Sequence, residues 1–171
     1  MFACIHSSDI AGGETLTSFA YNFSPLVEET SPNTVVIDVT GCELLFGSAY
    51  QLANQIAQQA KRLKPEGGLD ARVNVALAEN PDAAIHAARF LKGITFIAFN
   101  EELTCLGEFP LEALDYSLVG VEAKRAEEIF ETLRLWGVRT FRDFAKLPLP
   151  GISQRLGPEG IRLQTLAQGQ T

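Results

Sequence analysis

Cysteine is scarce. Cys4, Cys42 and Cys105 are the only three in 171 residues, and no CxxC pair occurs. Isolated thiols at distant positions argue against a disulfide scaffold and a cysteine zinc site, and they suit a reducing, cytoplasmic setting. Histidine is scarcer still, with only His6 and His86. The two lie far apart with no Cys or Glu at ligand spacing, whereas zinc takes three or four such ligands. His86 falls inside a helical stretch and reads as a partly buried structural residue. No run approaches the ~20 apolar residues that span a bilayer, and no basic, then apolar, then small-residue signal opens the chain. No membrane partner is therefore expected. The GxSxG, HExxH, GxGxxG and GxxxxGK[ST] strings are all absent, which removes the commonest hydrolase, zincin, dinucleotide and P-loop signatures.

Positive charge is also short, at 14 Lys+Arg against 21 Asp+Glu. The deficit is uneven. Residues 1–121 hold six basic and fifteen acidic side chains, and residues 122–171 hold eight and six. An acidic body is a poor general polyanion binder, because DNA affinity needs several cations facing phosphates. Any nucleic-acid contact should sit in the last 50 residues and be weak alone. What remains is a globular composition, 46% apolar and 20% charged. The length suits one domain, or one with a small appendage.

The patterning predicts strands over 1–6, 26–29, 34–39, 71–77 and 94–99. Glu14 to Phe23 suits either a short helix or an extended segment. Ser48 can cap a helix to about Lys64, with Leu52, Ala53, Ile56, Ala57, Ala60 and Leu63 on one face. Asn80-Pro81 starts another, ending near Leu91. That order predicts an α+β fold: a mixed or antiparallel sheet with helices on one face. From Val121 onward the strand signal vanishes. Helices are predicted over 122–136 and 141–147, a single turn over 152–156, and a last helix from Gly157-Pro158 to Ala167. Residues 110–120 read as the linker. Short helices with glycine turns and arginines at 134, 139, 142, 155 and 162 look like a helix-hairpin-helix module, whose backbone N–H groups meet phosphate. The plainer reading is a small helical bundle with solvated arginines.

Carboxylates capable of metal chemistry are few. Glu28 and Glu29 are adjacent on a strand and point to opposite faces. Asp9, Glu28, Glu29 and Asp38 are the candidates for a catalytic cluster, though nothing in their spacing demands convergence. The plainer reading is turn and surface acids.

Specific strings then carry a family resemblance. Phe23-Ser-Pro-Leu-Val-Glu28, Ser31-Pro-Asn-Thr-Val-Val-Ile-Asp-Val-Thr-Gly41 and Leu45-Phe-Gly47 resemble the palm of Y-family (DinB-like) translesion DNA polymerases. The 76–93 segment resembles the palm helix of that family. Trp136 to Leu147 and Leu156 to Leu163 resemble its thumb. The likeness is colinear through most of residues 20–169. It implies a ferredoxin-like palm over about 1–112 and a small all-helical thumb over about 117–171.

The same resemblance shows where chemistry is missing. The family's adjacent catalytic carboxylates fall on Asn33 and Thr34, and its first-strand aspartate falls on Ser7 or Ser8, with Asp9 beside them as a remnant. The palm helix keeps Asn80, but its two phosphate-binding lysines fall on Pro81 and Ile85. Two-metal phosphoryl transfer needs those acids and cations. Only about a dozen residues stand where the family inserts its fingers, and the little finger has no counterpart. The thumb glycine-x-glycine reads Gly120-Val-Glu122.

The nearest likeness is to the catalytically degenerate ImuB-type branch. It implies a cofactor-free accessory or scaffold in bacterial DNA damage tolerance and SOS mutagenesis. The implied partners are an error-prone polymerase, a sliding clamp and a mutagenesis accessory protein, with homo-oligomerisation through uncovered palm surface. Weak DNA contact would fall on Gly137, Arg139, Thr140, Arg142, Gly157, Gly160 and Arg162. No clamp-binding peptide is evident, since Gln164-Thr-Leu166 is only a partial match inside a helix. Two other readings stand beside this one: a Mg-dependent nucleotidyltransferase using relocated carboxylates, and an interaction domain with no nucleic-acid role.

Overall fold

A computed structural model describes residues 1–8, 13–60, 62–63, 72–118 and 120–171, with side chains from residue 16 onward in the first helix. Two units emerge, Met1–Phe99 and Asn100–Thr171.

The first unit is built on β1 (Phe2–Ser7), which lies at the centre of a five-stranded sheet ordered β2-β3-β1-β4-β5. β1 runs antiparallel to β3 (Thr34–Asp38) and to β4 (Val73–Ala78). β2 (Val27–Ser31) forms one edge, and β5 (Ile94–Phe96), parallel to β4, forms the other. The β-branched run of β3 suits this doubly covered position. Alternation sorts the side chains between faces. Ala3, Ile5, Val35, Ile37, Val75 and Leu77 pack under α1 (Gly13–Ala20) and α3 (Ala49–Ala60). The ambiguous segment after Glu14 is therefore helical, and its Leu16, Phe19 and Ala20 enter this core.

The opposite face is lined by small residues, Cys4, Ala76 and Ala78 with Val36, all buried. They suit close approach of α4 (Pro81–Phe90), whose Ala83, Ala84, Ala87 and Ala88 are buried in turn. The α+β class and the mixed sheet agree with the sequence expectation. The helices, however, divide between both faces, because β1, β3 and β4 are apolar on both sides. Asn80 caps α4 by accepting from Ala83 N at 2.8 Å. A short helix unforeseen from sequence, α2 (Glu43–Phe46), precedes α3. Lys64, the expected end of α3, lies outside the described residues.

The second unit is all helical: α5 (Glu102–Leu106), a 3-10 helix (Leu111–Leu118), α6 (Ala123–Leu135), α7 (Phe141–Ala145) and α8 (Leu149–Ala167). The stretch read as a linker is thus part of this unit's core, with Leu111, Leu114 and Leu118 buried. Its backbone is tied in as well: Leu111 N donates to Arg139 O at 3.1 Å and Phe141 N donates to Phe109 O at 3.0 Å. The division falls at residues 99/100, ahead of the 112–117 that the resemblance implies. α8 breaks at Gly157, where φ is 69° and ψ is −158°. Arg125 caps the first half by donating to Leu156 O at 2.8 Å. Buried Gln164 donates to Phe144 O at 3.0 Å and Leu147 O at 2.7 Å, closing the end of α7.

Two outcomes follow from this packing. Replacing Gln164 by Leu takes the side-chain donor from part-buried Leu147 O and leaves Phe144 O with Leu147 N alone, and should destabilise the second unit by about 1–3 kcal/mol, read by urea unfolding. His86 is fully buried in α4, and burial, with a smaller push from Arg89, lowers its pKa to about 3. Below the unfolded value of 6.5 the unfolded chain takes up a proton that the folded chain refuses. The stability contributed by neutral His86 is complete above that pH. It is lost as pH falls toward 3, at up to about 1.4 kcal/mol per pH unit. Unfolding free energies at pH 7.5 and 5.5 should show this slope, and His86→Leu should flatten it.

Candidate functional site

Pairing of His6 with Thr34 and of Ser7 with Val73 brings the end of β1, the β2–β3 turn and the start of β4 to one end of the sheet. The register therefore gathers Ser7, Asn33 and Thr34, three of the positions singled out from sequence. Ser7 N donates to Asn33 O at 3.0 Å, and Ser7 Oγ donates to Arg72 O at 2.9 Å. Asn33 Oδ1 accepts from Ser31 Oγ at 2.9 Å and from Thr34 Oγ1 at 3.3 Å. With its proton directed to Asn33, Thr34 Oγ1 accepts from His6 Nδ1 at 2.9 Å. Burial, reinforced by Arg89, lowers the His6 pKa and favours the neutral ring. Ser7 and Thr34 are completely buried. Ser8 is exposed, and Asp9 lies outside the described residues.

These groups do not fit a pair of divalent cations. Their oxygens are neutral and already engaged with one another, whereas Mg²⁺ needs anionic ligands that also bridge. The other carboxylates stand elsewhere. Asp38 ends β3 opposite Phe2, four residues from Thr34, or about 13 Å at the usual strand rise. Its Oδ1 accepts from Thr40 N at 2.9 Å, and bonds to Thr40 lower its pKa. Glu29 accepts from Thr17 Oγ1 at 2.9 Å, and Glu28 pairs across from Val36. Among the described residues no three His, Cys, Asp or Glu side chains form a group able to hold a metal ion.

The start of α4 is equally unsuited to a triphosphate. Asn80 is occupied as the helix cap. Pro81 has no N–H to offer, and Ile85 is buried.

In the second unit Gly137 turns the chain with φ at 76°. Thr140 then opens α7 through a capping box: its Oγ1 accepts from Asp143 N at 3.2 Å, and Asp143 Oδ2 accepts from Thr140 N at 3.2 Å. Arg142 is paired with Glu108 at 2.8 Å. Arg134 is paired with Glu112 at 3.3 Å, and Arg125 lies 3.6 Å from Glu128. Arg139 and Arg162 are exposed. Gly157 supplies the break in α8. Gly160 is buried against Leu156 and Ile152, where a Cβ would collide, so its missing side chain serves packing. Glu122 is the N-cap of α6 without a side-chain capping bond, and it puts a carboxylate beside the turn where the resemblance expects bare backbone. His6, Arg72 and Gln164 were not legible as network members. Their partners are 28, 65 and 17–20 residues away, and no local pattern encodes such pairs.

No family model matches the chain, but individual proteins do. DNA polymerase IV of Pelotomaculum thermopropionicum is 31% identical over 166 residues, which is 96% of this chain and 38% of that protein. DNA polymerase IV of Caulobacter vibrioides is 32% identical over 149 residues, covering 86% and 34%. The crystal structure of DinB from Sulfolobus solfataricus superposes with a TM-score of 0.63 at 20% identity, over 92% of this chain and 43% of that one. An insertion ternary complex of Dbh DNA polymerase gives 0.64 at 19% identity, over 93% and 44%. The chain spans little more than a third of the length of these curated relatives. In sequence the chain is similar to part of these DNA polymerase IV proteins, and in fold to part of the DinB-type Y-family polymerases.

Proposed function

We propose that the chain is a non-catalytic Y-family polymerase-like protein, an accessory or scaffold of the ImuB type in bacterial DNA damage tolerance. The observation that carries this reading is the end of the sheet. Asn33, Thr34 and Ser7 or Ser8 stand at the positions that the resemblance assigns to catalytic carboxylates; Asn33 Oδ1 accepts from Thr34 Oγ1 and Ser7 Oγ donates to Arg72 O, all as neutral groups. In-line phosphoryl transfer draws its rate from metal ions and cations that neutralise developing charge. A serine, an amide and a threonine cannot supply the negative charge that holds those ions. Loss of both lysine positions, at Pro81 and Ile85, supports the same conclusion for nucleotide binding. Partners of this reading are an error-prone polymerase, a sliding clamp or a mutagenesis accessory protein.

DNA contact falls to the second unit, through the α6–α7 turn and the exposed Arg139 and Arg162. It is weak, because Arg125, Arg134 and Arg142 are engaged by carboxylates of the same unit.

Two measurements test this. With primer-template DNA, nucleoside triphosphates and Mg²⁺ or Mn²⁺, the purified chain should give no extension, and calorimetric titration should find no metal affinity tighter than millimolar. Template-directed extension that Asp38→Asn abolishes would instead establish an enzyme with relocated carboxylates. Fluorescence anisotropy with the same DNA should show binding only at low salt. Arg139→Ala and Arg162→Ala should each weaken it several-fold and lower the slope against log salt by about 1. Absence of binding at low salt would remove DNA from the proposal and leave a protein-interaction role.

A further inference from the structure

One segment of the second unit runs like a strap beside the α6–α7 turn. Residues 107–111 lie antiparallel to residues 139–142. Arg142 N donates to Gly107 O at 2.9 Å, Phe141 N to Phe109 O at 3.0 Å and Leu111 N to Arg139 O at 3.1 Å, and Pro110 forms an antiparallel bridge with Thr140. Alternation decides which side chains anchor the strap. Phe109 and Leu111 are buried, and the Phe109 ring meets that of Phe141 edge-on at 5.8 Å. Glu108 and Glu112 are exposed.

Each of these glutamates takes one arginine of the α6–α7 region. Arg142 Nε donates to Glu108 Oε1 at 2.8 Å, and Arg134 Nη2 donates to Glu112 Oε1 at 3.3 Å. The first pair has a prepared seat: a Cβ at Gly107 would lie 3.0 Å from Arg142 Nη2, so glycine there leaves room for the guanidinium. Both pairs stay open to solvent, with 41% to 76% of each side chain exposed. Arg139, between the two arginines in sequence, has no ion pair among the described residues.

The planar fork of arginine fits carboxylate and phosphate alike. A carboxylate held against it stands where a phosphate oxygen would, and its charge repels the DNA backbone. On the reading of the α6–α7 turn as the DNA contact, we infer that residues 107–112 are an autoinhibitory strap. Glu108 and Glu112 hold Arg142 and Arg134 in place of DNA phosphates, so two cations beside Arg139 are latent. Exposed ion pairs are individually weak, so DNA competes with the strap and the inhibition is graded.

Fluorescence anisotropy of the full chain with primer-template DNA at low salt reads this. Glu108→Gln and Glu112→Gln keep the side-chain shape and remove the charge. Each should tighten binding about threefold and the double variant about tenfold, with the slope against log salt steeper by about 1 for each arginine released. Glu127→Gln alters an exposed acid of α6 outside both pairs. It makes the same change in net charge and should move affinity by less than about twofold. Masking also predicts non-additivity: Arg142→Gln should weaken binding little in the wild type and several-fold in the Glu108→Gln background. Wild-type binding that the two glutamine variants leave unchanged, or that Glu127→Gln tightens equally, overturns the strap and keeps the DNA contact. Binding absent from the wild type and present in the double variant supports the strap. Absence of binding by both removes the DNA contact and the strap together.

Discussion

The carbonyl oxygen of the Asn33 side chain accepts two hydroxyl protons at the end of the sheet, and the functional reading depends on that arrangement. An amide oxygen can close a turn and satisfy Ser31 and Thr34 without bringing in a counter-ion. A carboxylate in the same place would attract cations and repel its neighbours. Because Ser7 and Thr34 are wholly buried beside it, the neutral set also avoids the large cost of burying unpaired charge. His6 completes the set as a neutral donor. These groups are thus satisfied by hydrogen bonds among themselves and to Arg72 O.

The two ends of the first unit are consequently of different character. One end is polar, inward-facing and saturated with hydrogen bonds. The other exposes Leu26, Leu44, Leu45 and Tyr50, with Asp38, Glu43 and the Met1 ammonium nearby. β1 runs between them with apolar residues on both sides, which lets α1 and α3 cover one face and α4 the other. The second unit is held differently. Side chains reach backbone carbonyls at helix ends, Gln164 at α7 and Arg125 at the break in α8. The same Arg125 that caps the break also faces Glu128 and Glu159, which leaves little of its charge for an outside partner.

Much of this was legible in the sequence. β3 announced itself through Val35, Val36, Ile37 and Val39. α4 was marked at its start by Asn80-Pro81, and the break in α8 by Gly157-Pro158. The meeting of Ser7, Asn33 and Thr34 came from the resemblance, and strand register then produced it. What was missed shares one cause. α2, α5 and the 3-10 helix at Leu111–Leu118 are four, five and eight residues long, too short for a 3.6-residue period to stand out from a turn. The Pro at 110 and the Gly at 120 read as a linker, although Leu111, Leu114 and Leu118 repeat at helical spacing. The division of helices between faces is a tertiary fact. It depends on Cys4, Ala76 and Ala78 being small enough to admit an alanine-rich helix, and no single strand reveals that pairing.

The thiols have a consequence of their own. Cys4 is sealed between the central strand and α4, and burial pushes its pKa well above the ordinary thiol range. Cys42 and Cys105 are only half-buried, and one lies in each unit. Thiolate is the reactive form, so an alkylating reagent reaches Cys4 only when the sheet parts from its alanine helix. The chain thus carries a natural clock for the opening of its first unit, with a surface reference in each half against which to time it.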